Sequence, residues 1–166
     1  MHLEKSGNAK IGLDDLLLHL TGEVRVVLVK RSGEMIKKGE LLSTVEHNGK
    51  VLRIYSPITG KVMNANIMLE SEPEILNEDP YGDGWLCRIK PSGWIAETEK
   101  YYLSGAATDW ISNELLRFRD FIALSSAKHT SSSSAIILQD GGELCDHALS
   151  DMPADVWQDF QQVFLG

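Results

Sequence analysis

The stretch TVEHNGKVLRIYSPITGKV, Thr44 to Val62, decides the fold. Two β-branched runs flank Asn48-Gly49, and a Ser-Pro corner and a Thr-Gly turn then lead into a third run. A two-residue type I′ turn needs positive φ at both central positions, which Asn-Gly supplies at least cost. The dipeptide therefore predicts a tight hairpin and fixes its register. It also raises the question that governs function, because Lys50 stands one residue past that turn.

Working outward, the runs VRVVLV (Val24 to Val29), LLSTVE (Leu41 to Glu46), KVLRIY (Lys50 to Tyr55), GKVMNA (Gly60 to Ala65) and WLCRIK (Trp85 to Lys90) are each bounded by Gly, Pro, Asn or Ser. Short strands at this spacing, with no long helix between them, predict a mainly β antiparallel sandwich or partly closed barrel. Ahead of them, IGLDDLLLHLTG places Leu13, Leu16, Leu17 and Leu20 on one helical stripe, with Asp14 and Asp15 in the first turn and Gly22 as the stop. MHLEKSGNAKIGL reads as a hairpin around Lys5 to Asn8.

After Pro91 the period changes. SGAATDWISNELLRFRDFIAL sets Ala107, Ile111, Leu115, Phe118 and Ile122 along one face, with Ser104 as the cap. The polar tract from Ser125 to Ser134 reads as a linker, AIILQDGG as a strand and turn, and SDMPADVWQDFQQVFL as a helix with Pro153 in its first turn and Val156, Phe160, Val163 and Phe164 on one stripe. The expected division is a β sandwich over 1–92 and an α/β tail over 93–166, with the Ser-rich linker at 125–134. The two tail helices are expected to pack on each other or on the sandwich.

The chain has 166 residues, 43% of them apolar, enough for one ordinary core with a small appended unit. A formal net charge of −8 disfavours nucleic acid or an anionic membrane surface as the main ligand. No apolar run approaches the roughly 20 residues of a membrane helix, and the N-terminus lacks the form of a signal peptide. A cytoplasmic or cytoplasm-facing location is the corresponding expectation. Cys87 and Cys145 form no Cys-x-x-Cys pair and read as structural thiols in a reducing compartment.

Catalytic and metal readings find little support. His47 flanks the turn with no Cys, Ser or carboxylate at a recognised spacing, so it reads as a surface histidine. Glu70, Glu72, Glu74, Glu78, Asp79 and Asp83 lack the spacing of a calcium loop and read as a solvated acidic edge that could dock a basic partner. Gly82 and Gly84 do not open a helix after a strand, as a dinucleotide site requires. Trp110 and Trp157 fall on helical stripes and read as core.

Three segments carry a resemblance: Ala9 to Glu46, IYSPITGKVMNAN, and especially LNEDPYGDGWLCRIKPS. Together they resemble the H protein of the glycine cleavage system, from about Ala9 to about Ser92. The resemblance implies a lipoyl-domain-like fold, a barrel-sandwich hybrid of two antiparallel sheets with a side helix and a protruding turn that bears lipoate on a lysine. In that family the arm carries an aminomethyl group between the glycine cleavage enzymes, and the carrier has no catalytic residues of its own. The family also has more chain ahead of the first hairpin, so this sequence reads as shortened or as a fragment of a longer one. Its tail after Trp94 is longer than the family's.

The family's lysine lies in a Glu-Ser-x-Lys-Ala motif, with six residues between that lysine and the Ser-Pro pair. Counting back from Ser56-Pro57, that slot holds Gly49, and Lys50 sits one position late. A one-residue shift in a hairpin turns a side chain to the other face. Lys50 is thus expected to be a solvated strand lysine and the protein a non-lipoylated, non-catalytic interaction or scaffold module without cofactor. Its expected partners are proteins, including glycine cleavage or related enzymes. The alternative is a working lipoyl carrier with the arm on Lys50.

Overall fold

The computed structural model describes residues 1–28, 30–101, 105–128 and 146–166. The expected strand over AIILQD, the Ser104 cap and Cys145 lie outside these residues.

The strands are β1 (His2–Leu3), β2 (Ala9–Ile11), β3 (Arg25–Leu28), β4 (Met35–Ile36), β5 (Leu41–His47), β6 (Lys50–Tyr55), β7 (Gly60–Ala65) and β8 (Cys87–Pro91). All pairings among the described residues are antiparallel. They form a five-stranded sheet in the order β1-β2-β8-β7-β4 and a three-stranded sheet in the order β3-β5-β6. Alternation along β3 and β6 buries Val26, Leu28 and Leu52 and exposes Arg25, Val27, Val51 and Arg53, the signature of strands with one face on a core.

Helix α1 (Asp15–Thr21) begins where Asp14 accepts the Leu17 amide at 2.9 Å and ends at Gly22, whose φ is 75°. Gly22 is needed twice over: the backbone is left-handed, and a Cβ there would lie 3.3 Å from the His147 ring. Leu17, Leu18 and Leu20 are buried and Leu16 is half-buried, so the packed stripe is rotated slightly from the expected one.

Two short helices, α2 (Met68–Ser71) and α3 (Glu74–Glu78), lie in the acidic segment, and α4 (Trp94–Thr98) follows the sandwich. Helix α5 (Gly105–Lys128) runs four residues into the expected linker, and Ser125 is buried in it. Helix α6 (Ala154–Phe164) begins just after Pro153. The tail helices meet through aromatic side chains. Phe118 lies edge-on to Phe160 at 5.8 Å between centroids, and Phe121 edge-on to Phe164 at 5.6 Å. Only the second half of the α5 stripe is buried. Phe118 and Ile122 are covered, whereas Ile111 and Trp110 are each 38% exposed, so Trp110 is not the core residue its spacing predicts. Val163 likewise faces out, and Trp157, 1% exposed, takes its place in the buried stripe of α6.

One continuous apolar cluster contains Leu28, Val45, Leu52 and Ile89 from the sandwich, Leu17 and Leu20 from α1, and Phe118, Leu149, Trp157 and Phe160 from the tail.

Candidate functional site: the β5–β6 hairpin tip

The tip is the turn that the Asn-Gly pair predicts. His47 pairs with Lys50, leaving Asn48 at φ 48° and Gly49 at φ 77° as the two central residues. Lys50 is accordingly the first paired residue of β6. It shares the inward face with Leu52 and Ile54, while Val51, Arg53 and Tyr55 point outward.

Lys50 is not the solvated lysine expected from the register. Its Nζ donates to the main-chain carbonyl of Met152 at 2.9 Å and to that of Ser150, and lies 5.2 Å from the centre of the Trp157 ring. An ammonium withdrawn from water recovers solvation from carbonyl dipoles and an aromatic face. Burial lowers the Lys50 pKa from its ordinary value, and the Asp151 carboxylate opposes that shift.

The neighbours of the tip close around the same tryptophan. His47 is half-buried, stacks on Trp157 with centroids 6.0 Å apart at 10°, and its Nδ1 lies 2.6 Å from the Glu23 carbonyl oxygen. His47 is thus a packed residue and not a free surface histidine. Trp157 Nε1 donates to the Leu149 carbonyl at 2.7 Å, which fixes the indole between the two residues that flank the turn.

The segment from Asp146 to Phe164 holds this arrangement against the sandwich. The amides of His147 and Leu149 donate to the carbonyls of His19 and Leu20 at 2.8 and 2.9 Å, tying the segment to the end of α1. His19 Nε2 also lies 3.0 Å from Asp146 Oδ1. Farther along, the Gln161 amide mimics a strand. Its Oε1 accepts the Arg53 N–H at 2.6 Å and its Nε2 donates to the Arg53 carbonyl at 3.2 Å, which caps the free edge of β6.

Beside the tip is a cleft of about 640 Å³ lined by Glu23, Glu46, Glu74 and Glu78 with Arg25 and Asn77. Among the described residues no group of three or more His, Cys, Asp or Glu side chains is disposed to hold a metal ion. Cys87 is buried, and burial pushes its thiol up to about 12, which keeps it protonated and unreactive.

The NEDPYGDGW segment serves the fold. Asp79 accepts the amides of Gly82 and Asp83 at 2.9 and 3.0 Å, and the Gly84 amide donates to the Asp79 carbonyl at 2.8 Å. Tyr81 donates its hydroxyl to Asp15 at 2.6 Å, joining this loop to the start of α1. Asn66 donates to the carbonyls of Asp83 and Trp85, each at 2.8 Å. Such a loop is specified by its internal hydrogen bonds and makes no demand on the hairpin tip.

The profile of the family described as Glycine cleavage H-protein matches residues 1–110. The chain belongs to that family. The glycine cleavage system H protein of Thermus thermophilus is 35% identical over 89 residues, spanning 54% of this chain and 70% of the relative. That of Psychrobacter cryohalolentis is 38% identical over 99 residues, spanning 60% and 78%. A crystal structure of the H protein from Mycobacterium marinum aligns with a TM-score of 0.49 at 26% identity, covering 55% of this chain and 72% of that one. The family match ends at residue 110, so α6 lies beyond the matched residues.

Gly49, which the resemblance sets against the family's lysine, stands at the second central position of a closed turn. Gly49 has no amine, and the Lys50 amine is engaged by two carbonyls and an indole. Sequence reasoning placed Lys50 in the strand but missed its partners, because Ser150 and Met152 lie 100 and 102 residues away along the chain. The usable signal was Trp157, shortly after a helix-starting Pro153.

Proposed function

We propose that this chain has kept the H-protein framework and given up the carrier role, working as a non-lipoylated, non-catalytic protein-interaction module. The single observation that carries the reading is the position of the Lys50 amine, bonded to the Ser150 and Met152 carbonyls and one residue past the family's slot. Lipoate ligation needs an amine presented at the apex of an accessible turn. A carrier without its dithiol arm has nothing on which to hold an aminomethyl group.

Its partners are proteins, with the other glycine cleavage enzymes, or enzymes related to them, as the first class to test. Retention of the sandwich and of the Asn77 to Trp85 loop preserves surfaces that such enzymes could read, while fold alone assigns no chemistry. Among the described residues no helix is long and apolar enough to cross a membrane.

A reconstituted glycine cleavage reaction tests this directly. With the chain supplied in place of an authentic H protein, no aminomethyl transfer is expected, even after lipoate and a lipoate ligase are added. Pre-loading the chain in excess over lipoylated H protein should then lower the rate, if the shared surface is still recognised. Restored turnover would establish the alternative, a carrier working from Lys50.

A further inference from the structure

We propose that Asp146–Phe164 is an intramolecular latch on the hairpin tip, and that latch docking and acylation of the Lys50 amine are mutually exclusive. This rests on the non-carrier reading and supplies its mechanism: access is set by the state of the tail as well as by the register of the lysine.

The contacts have the character of a latch. The covering segment meets the tip through groups that only its closed position brings together: the Ser150 and Met152 carbonyls on Lys50, the Trp157 indole between His47 and Lys50, and the Gln161 amide on the β6 edge. On its other side it is held by two backbone hydrogen bonds to the end of α1 and by the Phe160 contact with Phe118. None of these bonds belongs to the sandwich ladders, so the segment can lift without breaking a strand pairing.

The chemistry makes the two states exclusive. Acylation joins the neutral amine to an acyl carbon, expels the leaving group with the amine's proton, and leaves an uncharged amide with one N–H. That product can satisfy at most one of the two carbonyls and carries no charge for the Trp157 face. A larger acyl group must also occupy the space now held by Ser150 to Met152. By linkage, whatever factor docking imposes on acylation, acylation imposes on docking.

The test pairs two readouts on the full chain. Pulsed labelling with the N-hydroxysuccinimide ester of acetic acid, mapped by mass spectrometry, compares Lys50 with exposed Lys61. Hydrogen exchange follows the amides of His147 and Leu149, with Leu52 as the sandwich reference. We expect Lys50 to react at least about tenfold more slowly than Lys61, and Gln161→Ala to narrow that gap while the Leu52 amide stays protected. Lys50→Gln, which mimics the acylated charge state, should speed exchange at His147 and Leu149 by a comparable factor. Labelling of Lys50 at the rate of Lys61 in the unmutated chain, or unchanged exchange in Lys50→Gln, would overturn the latch. Lipoylated Lys50 recovered with fast exchange at His147 and Leu149 would instead sink the non-carrier reading and uphold the latch.

Discussion

Gly49 and Lys50 stand side by side at the hairpin tip, Gly49 closing the turn and Lys50 opening the strand. Asn48 and Gly49 both adopt positive φ, so the turn is complete in two residues and the amine is drawn inward. This much was legible in the sequence, because turn type depends on adjacent residues. What surrounds the amine was not legible, since its partners come from the far end of the chain and carbonyl acceptors leave no side-chain signature. Gly49→Lys should place an amine in the family's slot at a cost of about 1–2 kcal/mol, the penalty for a side chain in left-handed backbone. Chemical denaturation would measure that cost, and lipoylation of the variant is expected to be partial. The depressed Lys50 pKa carries a sign as well. When the latch opens, the amine binds its proton more tightly, so the open or unfolded state holds more protons between the depressed value and the ordinary one. The docked state therefore gains as pH rises through that window. A side-chain NMR titration should find Lys50 below an ordinary lysine, and a value at or above it would contradict the burial described here.

At the scale of elements, the strands were the most readable part, because alternation and turn residues are local. The Lys50–Tyr55 and Gly60–Ala65 strands appear with the expected bounds. The helices α2, α3 and α4 were missed, being four or five residues long and too short to show a period. In α5 the apolar period was real but only half of it found a partner: Phe118 and Ile122 meet the tail and core, whereas nothing covers Ile111 fully. Slow exchange is therefore expected from Phe118 to Ile122 and from Val156 to Phe160, and fast exchange near Ile111. For α6, Phe160→Ala should cost about 3–5 kcal/mol, the range for removing a buried aromatic ring. Gln161→Ala should cost only about 1 kcal/mol, the net worth of a hydrogen bond, yet it should speed exchange of the Arg53 amide, which loses its acceptor. In the Asn77 to Trp85 loop, Asp79→Ala removes the acceptor of two amides and should destabilise the fold by about 1–3 kcal/mol without changing the tip.

Over the whole molecule, the sandwich and the tail share one apolar cluster, which sharpens the expected division at Ser92 into a testable proposal. A chain ending at Ser92 should still unfold cooperatively, since every described strand of both sheets lies within residues 1–91, but it should expose the side of α1 and the edge of β6 and bind hydrophobic dye. Loss of all cooperativity would mean that the tail is part of a single folding unit. The family was readable from the Asn77 to Trp85 loop because its hydrogen bonds demand those residues, whereas the proposed change of role rests on the tip alone. The most direct measurement of the central claim is the mass of the protein made in cells with active lipoylation machinery and supplied with lipoate, with peptide mapping across Glu46 to Tyr55. The account predicts the unmodified mass and a free amine at Lys50. A lipoyl adduct on Lys50 in the unmutated chain would contradict it.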